Sequence, residues 1–263
     1  MRQQIVQIDS FTETPFAGNP AAVCLMKHAA PEDWMRKIAA EMNLAETAFL
    51  YPEGQSYNLR WFTPGAEVKL CGHGTLASAH YFWEEEIAAP EATIQFNTAS
   101  GPLYAKRNGE WIELDFPQKP VEPSAPPAGL IEALNVKPVY VGKNAMDYLV
   151  EVESEQIVRS LNPNIAQIAT IPVRGVIVTA KSSTGEFDFV SRFFAPAVGV
   201  PEDPVTGSAH CALGPHWEKK LGKSAFTAYQ ASPRGGVVKV RNQGDRVILG
   251  GKAITVMRCE LMV

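Results

Sequence analysis

The stretch RWFTPGAEVKLCGHGTLASAH, from Arg60 to His80, has a near repeat in SRFFAPAVGVPEDPVTGSAHCALG, from Ser191 to Gly214. Each copy reads Arg-aromatic-Phe-x-Pro, passes an acidic residue, and reaches a glycine turn followed by Ser-Ala-His. A shared order of this length predicts two similar structural units within one chain of 263 residues.

The two copies lie about 130 residues apart, far beyond the periods of roughly 20 to 50 residues that characterise solenoid repeats. Between them, FPQKPVEPSAPPAGL (116–130) contains five prolines, which remove amide donors and favour extended backbone. We therefore predict an N-terminal domain of residues 1–116 and a C-terminal domain of residues 117–263. A C-terminal strand at about 252–263 is expected to join the first domain.

Strand patterns outnumber helix patterns along the chain. Segments rich in β-branched and aromatic residues, such as YNLRWFT, WIELDF and GVIVTA, predict strands, whereas PEDWMRKIAAEMN (31–43) has apolar residues at helical spacing. Regular alternation of strands with long helices is missing. The predicted fold class is therefore α+β with mostly antiparallel sheets, in preference to a doubly wound parallel sheet.

The composition is that of an ordinary globular protein, with 46% hydrophobic and 20% charged residues, a net charge of -4 and a pI near 5.8. This balance provides no basic surface for nucleic acid or an anionic membrane, so we expect neither as a partner. No apolar run approaches the roughly 18 residues of a membrane span, and the N-terminal MRQQIVQIDSF lacks a secretory signal. A cytoplasmic location is expected. The four cysteines are scattered without a C-x-x-C pair, which predicts neither a zinc site nor disulfides.

Each glycine turn precedes a predicted helix. CGHGT places Gly72, Gly74 and Thr75 at one helix start, and VTGS places Gly207 and Ser208 at the other. Glycine allows a ligand to approach the backbone closely, and the free amides of a first helical turn attract anions. The two turns together predict binding of a small carboxylate-bearing molecule, although either turn alone is better explained as a helix cap.

The first turn also fits a relaxed dinucleotide fingerprint, Gly72-x-Gly74-x-x-Ala77. This motif lies well inside the chain, and the surrounding segments lack the βαβ pattern of a nucleotide-binding unit. Nucleotide binding is therefore the weaker interpretation.

Several motifs together give the chain a resemblance to the PhzF family, named after an isomerase of phenazine biosynthesis. In chain order they are DSFTETPFAGNPAAV (9–23), MNLAETAFL (42–50), the Arg60 stretch, NTASG (97–101), SRFFAP (191–196) and EDPVTGSAHCALG (202–214). The resemblance implies a diaminopimelate epimerase-like fold of two pseudo-symmetric domains, each a mostly antiparallel sheet or open barrel around a central helix. It places the active site in the cleft between them, and a homodimer is expected.

The resemblance also implies roles for individual residues. Glu46, in LAETAFL, matches the carboxylate that acts as general acid/base. His73, Asp203 and Ser208 match the polar residues that line the same cleft as proton relay and substrate anchors. Asn19, in FAGNP, is expected to make a further substrate contact. A carboxylate in a partly apolar pocket has a raised pKa and can both take and return a proton near neutral pH.

The chain departs from the related epimerases at its second turn. Those enzymes use two cysteines on opposite faces of the substrate carbon; Cys71 falls at the first position, but PVTGS has no cysteine at the second. A two-base racemase using Cys71 and a non-catalytic metabolite- or protein-binding scaffold stay open as alternatives. The preferred hypothesis is an isomerase without cofactor or metal that acts on a small carboxylate, with Glu46, His73 and Asp203 as catalytic residues.

Overall fold

The computed structural model describes residues 3–262. The chain divides into two compact units. Unit 1 falls within Met1–Phe116 and Leu249–Val263, and unit 2 is Pro117–Ile248. Both are rich in strands, and each contains one long buried helix.

Unit 1 combines elements of the first part of the chain with one strand near the C-terminus. In order they are β1 (Gln3–Ser10), β2 (Asn19–Leu25), α1 (Glu32–Met42), β3 (Glu46–Glu53), β4 (Ser56–Phe62), β5 (Glu67–Val68), α2 (Gly72–Glu84), β6 (Ile94–Thr98), β7 (Gly101–Asn108), β8 (Trp111–Pro117) and, from the C-terminal segment, β18 (Ala253–Leu261).

Unit 2 contains shorter helices before its long one. Its elements are β9 (Glu122–Pro123), α3 (Leu130–Leu134), β10 (Pro138–Lys143), β11 (Asp147–Val152), α4 (Glu155–Ser160), α5 (Ile165–Ile168), β12 (Gly175–Lys181), β13 (Phe189–Ala195), β14 (Val200–Asp203), α6 (Gly207–Leu221), β15 (Ala225–Gln230), β16 (Gly236–Gln243) and β17 (Arg246–Gly251), the last of which continues into the C-terminal segment of unit 1.

The strands of unit 1 pair in a mostly antiparallel pattern. β1 is antiparallel to β18 and β2, β2 is parallel to β3, and β3 is antiparallel to β4. β4 is antiparallel to the short β5 and parallel to β6, and the antiparallel pairs β6–β7 and β7–β8 complete the series.

Unit 2 repeats this pattern. β10 and β11 are antiparallel, β11 and β12 parallel, and β12 and β13 antiparallel. β13 is antiparallel to the short β14 and parallel to β15, and β15 is antiparallel to β16. In both units the short strand, β5 or β14, leads directly into the long helix. The predicted α+β class with an internal repeat is confirmed.

The helices differ in how much of their surface is buried. α1 has the predicted amphipathic pattern and buries one face through Met35, Ile38 and Ala39. α2 and α6 are buried on nearly every side, as expected for helices enclosed by other elements; α2 contacts β1, β2, β3, β7 and β18. Among residues 3–262, no helix is long and apolar enough to cross a membrane.

The repeated arginine has the same structural role in both units. Arg60 of β4 binds Glu67 of β5 through Nε–Oε1 and Nη2–Oε2 contacts of 2.6 and 2.7 Å. Arg192 of β13 binds Glu202 of β14 through the same atoms at 2.7 and 2.8 Å. The planar guanidinium suits such two-point pairing. Each pair holds the short strand before the long helix against its neighbour.

The Ser-Ala-His triplets, in contrast, do not occupy equivalent positions. Ser78 lies in the second turn of α2, where its Oγ donates to the carbonyl of Gly74 at 2.7 Å. Ser208 is the second residue of α6. When the helix starts are matched, the counterpart of Ser208 is therefore His73, and the apparent triplet repeat is displaced along the helix.

Candidate active site

Three of the predicted site residues meet at the start of α2. Glu46 begins β3, Asn19 begins β2, and His73 is the second residue of α2. His73 Nε2 lies 2.9 Å from Glu46 Oε2, and His73 Nδ1 lies 3.1 Å from Asn19 Nδ2. Asn19 is fully buried and the His73 side chain is 6% exposed, whereas that of Glu46 is 16% exposed. The Glu46 carboxylate is the most exposed of the three side chains.

Backbone geometry explains why these residues meet. β2 and β3 are parallel, and Ala21 pairs with Glu46 at the start of β3. Gly18 has φ +65°, and an added Cβ would lie 2.2 Å from the carbonyl oxygen of Ser10, so only glycine fits before β2. The hydroxyl of Ser10 donates to the carbonyl of His73 at 2.9 Å. The starts of β2 and α2 are thereby both held against the end of β1.

The charges of this cluster are coupled. Burial by itself lowers the pKa of His73, but the adjacent Cys71 sulfur and Glu46 carboxylate raise it well above its usual value. Burial and the Glu46 charge raise the pKa of Cys71, so Cys71 is a neutral thiol at neutral pH. The Glu46 carboxylate is therefore the charge that favours a proton on His73.

The Asn19 amide can accommodate both protonation states of His73. With Asn19 Nδ2 facing the ring, Nδ1 accepts and Nε2–H donates to Glu46. A half-turn of the amide brings Oδ1 to the same place, where it accepts from the Nδ1–H of an imidazolium. His73 can thus gain or lose a proton without losing either hydrogen bond.

Cys71 caps α2 and is enclosed by packing. Its Sγ accepts from the Gly74 N–H at 3.3 Å and lies 3.6 Å from His73 Nδ1. A Cβ on Gly74 would lie 2.8 Å from Trp61 Cδ1 and 3.0 Å from Cys71 Sγ. Close packing within unit 1 therefore accounts for glycine at position 74, and the predicted ligand contact there stays a prediction. All four cysteines of the chain are free thiols in the structure.

Thr75 points into unit 1. Its hydroxyl and N–H both donate to the carbonyl of Cys71, at 2.6 and 3.2 Å, and the residue has no exposed surface. A substrate contact at Thr75 stays a prediction that would require these bonds to open. The first-turn amides without an acceptor inside the helix are those of Gly72 and His73.

In unit 2, Asp203 belongs to a hydrogen-bonded cluster before α6. The Thr206 hydroxyl donates to Asp203 Oδ2 at 2.5 Å, and Gln230 Nε2 donates to the Asp203 carbonyl at 2.7 Å. Gln230 Oε1 in turn accepts from the N–H of Thr206 at 2.9 Å. The cluster holds the Asp203 carboxylate in one orientation.

Ser208 has a different partner. Arg174 Nη1 donates to Ser208 Oγ at 2.9 Å. The guanidinium is itself held by Asp147, which is fully buried, through an Nε–Oδ1 bond of 2.8 Å and a second bond from Nη2 to Oδ2, and it lies over the ring of Phe193. Because Ser208 Oγ accepts from Arg174, the hydroxyl proton of Ser208 is free to be directed at another acceptor.

The start of α6 keeps its backbone donors. Thr206 is the N-cap but provides no side-chain cap; its hydroxyl donates to Asp203 and accepts from Gln230 Nε2 instead. The amides of Gly207 and Ser208 therefore have no acceptor within the helix, and the helix dipole favours an anion beside them.

Sequence patterns did not point to Arg174, Asp147 or Gln230. The one available signal was a charged residue, Arg174, directly before the predicted strand GVIVTA. Its partner Asp147 lies 27 positions earlier in the chain, a separation that no local pattern can connect.

Comparison with known proteins gives the family. Residues 8–259 match the PhzC-PhzF family of phenazine biosynthesis-like proteins. A protein of Halalkalibacterium halodurans named an uncharacterized isomerase is 54% identical, with 100% of both chains covered. A Pseudomonas aeruginosa protein, also named an uncharacterized isomerase, is 46% identical over 98% of each chain. The human phenazine biosynthesis-like domain-containing protein is 38% identical over 97% of each chain.

Solved structures agree. The crystal structure of a PhzF-family phenazine biosynthesis protein from Enterococcus faecalis has a TM-score of 0.96 at 40% identity, with 100% of both chains covered. A hydroxyproline epimerase from Agrobacterium vitis shares the fold at a TM-score of 0.66 and 11% identity, over 99% of this chain and 92% of that one. The predicted epimerase-like α+β fold is thus confirmed, and the chain belongs to the PhzC-PhzF family and is an isomerase of the PhzF type.

Proposed function

We propose that this isomerase moves a proton between carbon atoms of a small carboxylate-bearing metabolite, without a cofactor, and that Glu46 is its general acid/base. The position of Glu46 carries the proposal. Its carboxylate is 2.9 Å from the buried His73 and yet 16% exposed. General acid–base catalysis requires a group within hydrogen-bond reach of the proton that is transferred. A base in this position can contact a substrate and also His73, the proposed proton relay.

The proposed reaction begins when the Glu46 carboxylate removes a proton from a carbon next to a double bond or carbonyl group. The electron pair of the broken C–H bond moves into that π system, and the double bond shifts. Glu46 then donates the proton to a different carbon of the substrate. One C–H bond breaks and one forms, so the step needs neither an oxidant nor a reductant.

His73 and Asn19 support this transfer in the proposal. A protonated His73 stabilises the Glu46 carboxylate between turnovers, and a neutral His73 still donates to Glu46 through Nε2. Since the Asn19 amide suits either state of the ring, the pair can share a proton without rearranging the backbone. Asp203 is proposed as a second acid/base or relay group on the unit 2 side of the substrate.

The substrate carboxylate is proposed to bind at the start of α6. The Gly207 and Ser208 amides and the Ser208 hydroxyl proton supply donors, and Arg174 fixes the orientation of that hydroxyl. Gly72, Gly74 and Thr75 are proposed to form the opposite wall. A site shared by the two units is part of this proposal.

A two-thiol racemase has less support. It would need a second thiol opposite Cys71, but the N-cap position that Cys71 occupies in α2 belongs to Thr206 in α6. The burial-raised pKa of Cys71 also disfavours the thiolate that such a reaction uses.

A screen of small carboxylates in heavy water tests the proposal. Each compound is incubated with wild-type protein, and deuterium incorporation at carbon is read by mass spectrometry. We expect at least one compound to gain deuterium with wild type, and Glu46→Gln to lose this activity while keeping its fold. Exchange that persists in Glu46→Gln would contradict the assignment of the base.

A further inference from the structure

A small, mostly apolar pocket lies in unit 2 between the segment that contains β9, strand β10 and the third turn of α6. Its volume is about 180 Å³, and its lining includes Val121, Pro123, Tyr140, Pro215, His216 and Lys219. We propose that this pocket binds a small hydroxylated aromatic acid, of which a hydroxybenzoate is the simplest example. His216 lies eight positions after Ser208 in α6, or about 12 Å along the helix axis. The pocket is therefore separate from the proposed carboxylate site at the start of that helix.

The volume of the pocket sets the size of the ligand. A cavity of about 150 Å³ holds one benzene ring, so this pocket admits a single six-membered ring with small substituents. Ligand pockets are mostly lined by apolar and aromatic groups, with a few polar groups that fix the orientation of the ligand. A planar ring also loses less conformational freedom on binding than a flexible chain of the same size. An aromatic ring is therefore the framework that fits.

His216 is the polar group that orients the ligand. Its side chain is 6% exposed, and its Nε2 lies 2.9 Å from Glu151 Oε2. Burial by itself raises the pKa of Glu151, but hydrogen bonds from His216 and Lys220 lower it overall, so the carboxylate is ionised and accepts from Nε2–H. His216 Nδ1 has no hydrogen-bond partner among residues 3–262. In the neutral ring this nitrogen keeps a lone pair, which can accept from a hydroxyl group in the pocket.

The charges around the pocket favour an anion over a cation. Lys220 is paired with Glu151, at 2.8 Å between Nζ and Oε2. Lys219 is exposed and has no carboxylate partner within the part of the chain that the structure describes. Glu122 lies near the Tyr140 hydroxyl but does not line the pocket. The unpaired ammonium at the rim attracts a carboxylate and repels an amine, so the group that donates to the ring nitrogen is a neutral hydroxyl.

Isothermal titration with 4-hydroxybenzoate tests the binding at pH 8, where free imidazole is neutral. A Kd of about 1 mM or below is expected for a ligand of this size. Benzoate lacks the hydroxyl and should bind about fivefold more weakly, and phenol, which lacks the carboxylate, should also bind more weakly. The cationic 4-hydroxybenzylamine should not bind. Absence of binding by 4-hydroxybenzoate, or equal affinity for the amine, would overturn the proposal.

Variants of the lining locate the ligand. Val121→Phe fills the pocket and should weaken binding by about tenfold or more, with thermal unfolding as the check on its fold. Lys219→Ala changes an exposed residue and should weaken binding about two- to fivefold. Lys181→Ala is the matched control, because this exposed lysine of unit 2 lies outside the pocket, and its Kd should equal that of wild type. Wild-type affinity in Val121→Phe, or equal losses in the two lysine variants, would contradict the assigned site.

Two further variants distinguish the pocket from the proposed substrate site. His216→Phe removes the acceptor, while Lys220 can still pair with Glu151, and the variant should bind benzoate and 4-hydroxybenzoate equally well. Ser208→Ala should bind 4-hydroxybenzoate as wild type does. A Kd that depends on Ser208 and not on Lys219 would place the ligand at the start of α6 and would overturn the second site. A hydroxyl preference that persists in His216→Phe would overturn the role of the ring nitrogen.

Discussion

The first residues of β3 and β12 occupy equivalent places in the two units, yet only one carries a carboxylate. Glu46 pairs with Ala21 across β2 and β3, and Gly175 pairs with Asp147 across β11 and β12. A Cβ on Gly175 would lie 2.3 Å from the ring of Phe193. Unit 2 therefore has no space for a side chain where unit 1 has its proposed base.

The first residues of α2 and α6 also differ between the two units. α2 begins with Cys71 as N-cap and His73 beside Glu46, whereas α6 begins with Thr206 as N-cap and Ser208 beside Arg174. The start of α2 thus has a carboxylate–imidazole pair beside it, whereas the start of α6 has a guanidinium–hydroxyl pair. The two units share their strand pairing and their Arg–Glu pairs but not their chemistry.

The largest expected effect tests whether acid/base chemistry belongs to unit 1. A general acid/base contributes about 10²- to 10⁴-fold in rate, so Glu46→Gln should lose at least roughly 100-fold in deuterium exchange at the substrate carbon. Cys71→Ser should stay within about tenfold of wild type, because the thiol caps a helix and carries no charge. Exchange that survives in Glu46→Gln and vanishes in Cys71→Ser would restore the racemase.

The Arg–Glu pairs should differ in strength although their geometry is alike. Arg192→Gln should lower the free energy of unfolding by roughly 3 kcal/mol, because Arg192 also donates to the Leu161 carbonyl at 2.5 Å and is 10% exposed. Arg60→Gln should cost about 1 kcal/mol or less, since both partners of its pair are more than a quarter exposed. Urea unfolding followed by circular dichroism measures both, and equal losses would show that burial does not distinguish the pairs.

The buried histidines of the two helix starts should give opposite pH dependences. Burial lowers the pKa of His210 to about 4, so the unfolded chain binds its proton more tightly. Stability from this residue is present above about pH 6.5 and falls by up to about 3 kcal/mol as pH drops towards 4. The pKa of His73 is raised instead, so its contribution is present below about pH 6.5 and is lost as pH rises through the folded-state pKa.

Unfolding free energies measured across pH test this contrast. His210→Gln should flatten the acid limb of the stability profile, and His73→Gln should flatten the alkaline limb. If both variants change the same limb, the two histidines do not have the opposite surroundings that the structure gives them.

Position three of each long helix gives a smaller contrast. Gly74→Ala should cost about 2 kcal/mol, because the new Cβ would collide with Trp61 and Cys71. Ala209 has the same place in α6. Ala209→Gly should lower the free energy of unfolding by about 1 kcal/mol, because glycine gains more backbone entropy on unfolding and removes packing contacts. Thermal unfolding of the two variants gives the comparison, and a stabilised Gly74→Ala protein would rule out the packing explanation.

The smallest effect concerns the proposed anion site of unit 2. Ser208→Ala should raise KM by about tenfold with kcat mostly kept, because one hydrogen bond to an ionised group is worth about 1.5 kcal/mol. Ser208→Thr keeps the hydroxyl and is the matched control, with KM expected near that of wild type. A fall in kcat without a change in KM would place Ser208 in the chemistry instead of in substrate binding.

Local patterns predicted a good part of the fold. The helix expected at 31–43 is observed as Glu32–Met42, and the strand-rich α+β class holds. The internal repeat is real, but an alignment of the two Ser-Ala-His triplets puts α2 and α6 out of register, because Ser78 is the seventh residue of α2 and Ser208 the second residue of α6. Three identical residues in a helix carry little positional information, whereas Arg60 and Arg192 are placed by ion pairs that each span two strands.

The site was predicted residue by residue through the family resemblance, but its partners were not. Glu46, His73 and Asn19 were named from their motifs, and the structure adds their contacts. Arg174, Asp147 and Gln230 were missed, since a single charged or amide residue in a strand-rich segment has no pattern of its own. Gly74 gained a second explanation, close packing against Trp61, and its predicted ligand contact stays a prediction.

The sequence by itself determined the strand-rich class, the internal repeat and the motifs that carry the proposed chemistry, because these depend on the spacing of neighbouring residues. Tertiary structure alone decided which of them touch. His73 is 27 positions from Glu46 and 54 from Asn19, and only the parallel pairing of β2 with β3 and the attachment of α2 to β1 bring the three together. Tertiary structure also excludes a side chain at position 175, because the ring of Phe193 in β13 fills the space that a side chain would need.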